Sequence, residues 1–207
     1  MRLTIKQAFS TALCLFLPLP LMAFDIRHGS VPIQLGGFIS SQGKAQNLNI
    51  QGLVGNQYTV SNNNQGNGLF GIGYYINGLD KDRFQLSYGV NGFYLGATSV
   101  SGTIVQEHVY TNLAYDYKIQ QVPIYLAAKA KVKNNSEKYN LTFDAGIGPN
   151  FMRTSRYKER SLFGPAIPDN AFDAHNNVAF AAMAGVGVRL NNIFGQAPLE
   201  CGYRFFY

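Results

Sequence analysis

Eight ionisable residues, Asp116, Lys118, Lys129, Lys131, Asp144, Arg189, Glu200 and Arg204, stand among Gly, Ser, Thr and Asn in segments where apolar and polar residues alternate. Charges of both signs gathered on one enclosed face are expected to pair, because an isolated ion held away from water is far costlier than a paired one. The chemistry to expect from them is a charge network that fills an interior. The alternative is the lining of an ion-selective pore. A second group, Arg153, Arg156, Lys158 and Arg160, is basic over a short stretch. It suits phosphates or another polyanion, with a merely solvated loop as the plainer reading, and charge alone confers no specificity. Asp169 and Asp173 follow and would offset part of that charge.

Catalytic signals are weak. His28, His108 and His175 are scattered, and neither His108 with Glu107 and Thr111 nor His175 with Asp173 matches a spacing that catalysis requires. No enzyme activity, cofactor or metal site is expected, since three dispersed His and one cysteine, Cys201, form no ligand set. Gly71-Ile-Gly73 and Gly185-Val-Gly187 open no helix and so are not nucleotide loops. They fit tightly curved strands instead.

The elements that position these residues are read from composition and period. Of the 207 residues only 14% are charged, against roughly 25% in an ordinary soluble domain, and 14% are aromatic. That balance excludes a disordered tail. Residues 1–23 carry Arg2 and Lys6 ahead of an uncharged run from Ala12 to Met22, ending at Ala23. This describes a secretory signal peptide, too short and too proline-interrupted (Pro18, Pro20) for a spanning helix. The domain proper is then 24–207. Cys201 is its one cysteine, so no internal disulfide is expected.

Past residue 30 the apolar period is two, the strand period. Phe84, Leu86, Tyr88, Val90 and Tyr94 alternate with Gln85, Ser87, Gly89 and Asn91; Leu141, Phe143, Ala145, Ile147 and Phe151 alternate with Asn140, Thr142, Asp144, Gly146, Gly148 and Asn150. Leu199, Cys201, Tyr203, Phe205 and Tyr207 close the pattern. Other alternating runs occupy 31–41, 67–77, 108–133 and 176–190. In 108–133, Tyr115, Tyr117 and Ile119 share one parity while Ile124, Leu126, Ala128 and Val132 share the other. A β-bulge near Gln120-Gln121 is expected there. The connections alternate: Gly43–Gly66 long, Gly78–Asp82 tight, Ser99–Gln106 intermediate, Asn134–Glu137 tight, Thr154–His175 long and Asn191–Gln196 short.

Long connections on one side and tight turns on the other describe an antiparallel up-and-down transmembrane β-barrel, apolar outside and polar within. A soluble β-sandwich or a lipocalin-like barrel would put the apolar face inside. Closure is expected because an open edge in lipid leaves unpaired backbone groups. Seven strands are counted, where bacterial barrels have even numbers. The expectation is eight strands, with the last beyond Tyr207, or with a boundary misread in 108–133 or a hairpin hidden in Gly43–Gly66, where Asn49, Gln51 and the 57–60 run would contribute.

The signal peptide, the alternating strands and the terminal run Leu199-Glu-Cys-Gly-Tyr-Arg-Phe-Phe-Tyr207 resemble the small outer-membrane barrels of Gram-negative bacteria, of the OmpA/OmpX and opacity-like surface antigen type. The resemblance implies an outer-membrane location after export. It implies handling by the barrel-assembly machinery, read from aromatic and apolar residues at alternate positions ending at Tyr207. It also implies surface loops that serve envelope integrity or contact with host and envelope ligands. Lipopolysaccharide is then the expected polyanion for Arg153, Arg156, Lys158 and Arg160, and nucleic acid is not an expected partner. The alternative function is a porin-like channel for small solutes. From the register about Asn134–Glu137, Asp144 is expected to pair with Lys129 or Lys131.

Overall fold

The computed structural model describes residues 29–41, 45–48, 55–61, 64–107, 109–134, 138–164, 166–168, 174–194 and 197–207. The leader 1–23 lies outside them, as do His28, Asn49, Gln51, His108, Asp169 and Asp173. Among these described residues, ten strands form one antiparallel sheet: β1 (Gly29–Ser30), β2 (Ile33–Ser40), β3 (Gln46–Leu48), β4 (Asn56–Tyr58), β5 (Gln65–Asp80), β6 (Phe84–Gln106), β7 (Tyr110–Lys133), β8 (Tyr139–Ser161), β9 (His175–Phe194) and β10 (Ala197–Phe206). The main path is a meander in which β5, β6, β7, β8, β9 and β10 pair in chain order. β1 and β2 both pair with β5 and make one interrupted edge lane. β3 and β4 form a hairpin within the long 43–66 connection, and β4 pairs with the far end of β6.

Among the described residues this gives seven lanes, with β1/β2 at one edge and β10 at the other. No strand pairing joins those edges, so the sheet is rolled but not closed, in contrast to the expected ring. Side chains nevertheless meet across the roll. Phe206 of β10 packs edge-on against Phe93 of β6 at 5.2 Å between ring centres and lies 6.3 Å from Tyr125 of β7. These rings join a buried cluster with Tyr75, Leu95, Ala127, Ala181 and Met183.

One tight turn falls at Lys81–Arg83, at the end of the 78–82 stretch expected; β7 and β8 pair as far as Lys133 and Asn140, while 135–137 of the expected 134–137 turn lie outside the described residues. Two connections prove shorter than their composition suggests. β6 continues through Ser99–Gln106 to a turn at Glu107, and β8 continues to Ser161. In both, most outward residues are hydroxyl-bearing or charged (Ser99, Ser101 and Thr103 on β6; Arg156, Lys158 and Arg160 on β8), which hides a strand from an apolar count.

The expected bulge in β7 is absent. Odd positions from Leu113 to Lys131 share one face throughout; the irregularity that β7 itself carries is at Asn112, near its loop end, and those next to Gln120 lie in the strands on either side. Opposite Gln120, β6 inserts an extra residue between Leu95 and Thr98; opposite Tyr117, β8 does so between Ser155 and Lys158. Arg156, in that second bulge, has a φ of 58°. What changes along β7 is therefore the polarity of its two faces. Towards the tight turns, Val122, Ile124, Leu126 and Val132 are on the exposed face. Towards the loops, Tyr115, Tyr117 and Ile119 turn inward and pack with Val100, Ile104, Leu113, Tyr58 and Tyr157 in a second core.

Candidate functional site

The inversion of polarity divides the molecule into two sites, an enclosed charge network near the turns and an outward basic surface near the loops. The apolar outer face is continuous across the sheet: Phe84–Tyr94 on β6, Val122–Val132 on β7, Leu141–Phe151 on β8 and Val178–Val188 on β9. Its upper boundary is a row of exposed side chains at neighbouring register positions, Phe70, Tyr94, Val122, Phe151 and Val178. β7 and β8 run 24 and 23 residues, so at about 3.3 Å per residue both extend well past that row.

Inside, register stacks the charges in layers. Lys129, Asp144, Gly185 and Arg204 are successive partners across β7, β8, β9 and β10. Arg204 Nε donates to Asp144 Oδ2 at 2.7 Å, and Arg204 Nη1 donates to Gln34 Oε1 of β2 at 2.5 Å. Gln34 Nε2 in turn donates to Asn91 Oδ1 at 2.8 Å. The Arg204 guanidinium also stands over the Phe93 ring at 5.1 Å. Lys129 Nζ reaches Glu200 at 2.6 Å. Asp144 is only 6% exposed and Asn91 1%, so this chain of polar contacts from β8 through β10 and β2 to β6 is held away from solvent. Such charge-assisted bonds are strong, and each member becomes costly if left alone.

The expected pairing is corrected here. Asp144 lies directly opposite Lys129 but pairs with neither Lys129 nor Lys131; it binds Arg204, while Lys129 binds Glu200. The reason is Gly185. A Cβ on that residue would come within 2.4 Å of Asp144 Oδ1, so the glycine clears the path by which Arg204 crosses β9. Lys131 and Arg189 also face inward, and Arg189 Nε is buried without a hydrogen-bond partner. Thr142 Oγ1, between Lys131 and Gly187 in register, is likewise buried and unpartnered.

Asp116 and Lys118 do not belong to this network. They occupy even positions of β7, on the face opposite the inward Tyr115 and Tyr117, and Asp116 is exposed beside Ser101 and Lys158. The sequence reading assumed a shift of phase that β7 does not make.

The same bulge that gives Arg156 its left-handed backbone gathers the basic group. Before it, Arg153 points outward with Phe151. After it, Tyr157 and Glu159 point inward, where the Tyr157 hydroxyl donates to Glu159, and Arg156, Lys158 and Arg160 are exposed outside. All four basic residues therefore share the outer face with Lys118, just beyond the apolar row. Lys118 is the member that the sequence reading assigned elsewhere, and only the parity of β7 reveals it. Below them lies a groove of about 480 Å³ whose walls include Gln120, Val122, Phe151, Arg153, Asn176 and Val178.

His175 begins β9, where its backbone N–H donates to Thr154 Oγ1 at 3.3 Å. Cys201 is exposed on the outer face of β10. Among the described residues no three His, Cys, Asp or Glu side chains come together as metal ligands would. No known protein-family model matches the sequence, and no curated protein is significantly similar to it.

Proposed function

We propose that this chain forms the wall of an outer-membrane β-barrel whose interior is plugged by side chains and whose loop end serves envelope integrity or surface interaction. The observation that carries the reading is the face on which the apolar residues lie. Leu126 is 70% exposed, Phe180 66% and Leu35 81%, while Asp144, Asn91 and Thr142 are buried. A soluble sheet arranged this way would hydrate its apolar face and dehydrate its ions, losing free energy on both. In a bilayer the apolar face leaves water, and the cost of the interior ions is offset by their pairing with one another. The apolar-out segments Val122–Val132 and Leu141–Phe151 also have about the 9–11 residues that a tilted transmembrane strand needs.

In lipid the edges at β2 and β10 need partners, so a closed, eight-stranded wall is part of this proposal. The interior supports a plug rather than a channel: Phe93, Tyr125 and Phe206 fill one layer, and the Asp144–Arg204–Gln34 contacts span the next. Protein refolded into phospholipid vesicles should protect β6 to β9 between the turns and the Phe151 row from added protease, with loop-end segments cleaved. Cleavage throughout those strands would overturn the membrane assignment. In planar bilayers the plugged interior should give no steady conductance. Regular stepwise opening would instead favour the porin-like alternative.

A further inference from the structure

We infer that the outer face of β7 and β8 holds a specific site for a lipid with a net-anionic phosphate headgroup, the headgroup on Lys118, Arg153 and Arg156 and one acyl chain in the groove below. The inference rests on the membrane reading above and adds to it a ligand class, a fifth cation and a geometry.

Three observations meet at this place. First, the charge is one-sided. Lys118, Arg153, Arg156, Lys158 and Arg160 all lie outside, and Asp116 is the one acid on that face of β7 and β8. Glu159 is turned inward and taken by Tyr157, and none of the ion pairs among the described residues uses any of the five cations. Second, the spacing suits one headgroup. Lys118 is opposite Ser155 and Arg153 is opposite Gln120, which makes the two cations diagonal neighbours. Diagonal positions on an antiparallel pair lie about 7–8 Å apart, within reach of a single phosphate for side chains of that length. Arg156 stands between Ser155 and Lys158 on the bulge, where the extra residue brings a third cation to the same side. Arginine forks match phosphate oxygens in pairs, which adds direction to the attraction.

Third, the cations adjoin an apolar groove, not open polar surface. Val122, Phe151 and Val178 line its lower part, and Gln120, Arg153 and Asn176 its upper part. The Gln120 amide donates to the Tyr94 hydroxyl and so fixes the rim. A free anion would use the upper half alone, whereas a phosphorylated amphiphile uses both halves. The bulge is what brings these parts together. Without it Lys158 and Arg160 would point into the Tyr115–Tyr117 core, and the face would keep Arg153 and Lys118 only.

The test is native mass spectrometry of the full chain in a neutral detergent, titrated with phosphatidic acid, phosphatidylcholine or inorganic phosphate. The expected result is retention of phosphatidic acid, with phosphatidylcholine held about tenfold more weakly. The triple variant Lys118→Gln, Arg153→Gln, Arg156→Gln should lose most of that retention, while Lys81→Gln, at a turn on the opposite end, should not. Equal retention of the two lipids, equal retention by the triple variant, or displacement by millimolar inorganic phosphate would each overturn the site. If the triple variant fails to fold, the headgroup comparison on the unaltered chain still decides. Vesicle insertion measured on the same samples separates the two readings: protein that inserts but shows no headgroup preference refutes only the lipid site, and protein that does not insert refutes the membrane wall beneath it.

Discussion

Lys129 and Asp144 face each other directly across β7 and β8, yet each takes its ionic partner from β10, Glu200 and Arg204 respectively. The arrangement uses both cations and both carboxylates, and it ties the last strand to the middle of the sheet. Because Asp144 is buried and Arg204 mostly so, removing one partner strands the other. Asp144→Ala should destabilise the fold by about 3–5 kcal/mol, and the double change with Arg204→Met by clearly less. The coupling is read from denaturant unfolding in lipid vesicles. A cycle between Asp144 and Lys129 should show a much smaller coupling; the reverse order would contradict the pairing.

Gly185 makes that ion pair sterically feasible. Gly185→Ala places a methyl group 2.4 Å from Asp144 Oδ1 and 3.2 Å from the Tyr203 carbonyl oxygen. The expected cost is about 1–3 kcal/mol, as for other overpacked sites. Much of it should disappear in the background Asp144→Ala, since the nearest clash is with that carboxylate. Additive costs in the same unfolding assay would show that the glycine serves the backbone instead.

The outer face offers a sharp contrast by depth. Leu126→Arg, in the apolar band, should cost about 2–4 kcal/mol in vesicles if it lies near the midplane. Gln120→Arg, on the same face of the same strand but beyond the Phe151 row, should be close to neutral. Similar effects of the two changes would argue that the band does not face lipid.

Arg156 is held at a φ of 58°, a conformation that costs an ordinary residue about 1–2 kcal/mol. Arg156→Gly should therefore leave stability unchanged or raise it, while the β-branched Arg156→Val should lower it. Thermal mobility shifts of the two variants on gels check the order. Arg156→Val matching Arg156→Gly would mean that the bulge does not depend on this residue.

Most lanes were legible in the sequence because apolar and polar residues alternate in Phe84–Asn91 of β6, Leu141–Phe151 of β8 and Leu199–Phe205 of β10. Two errors share one cause. Alternation shows that two faces differ but not which face is inside, and along β7 the apolar face is outside near Leu126 and inside near Tyr115. Reading apolar as outward throughout required a bulge at Gln120-Gln121 and placed Asp116 and Lys118 in the interior. The true bulge at Arg156 carries no glycine or asparagine to announce it. Asp144's partner was missed because counting from a turn fixes only the adjacent strand, whereas Arg204 arrives from two strands away.

Gln34 and Arg204 are 170 residues apart in the chain and only one hydrogen bond apart in space. Nearly every other junction in the meander joins strands that follow one another, so hairpins can form in succession at little entropic cost. The Gln34–Arg204 contact can form only after the whole length has been laid down and curled. It is thus a late event in assembly, and weakening it should leave the hairpins zipped while slowing the final step. Gln34→Ala would appear as an accumulating, sheet-rich intermediate whose refolding rate, more than its secondary structure, departs from that of the unaltered chain.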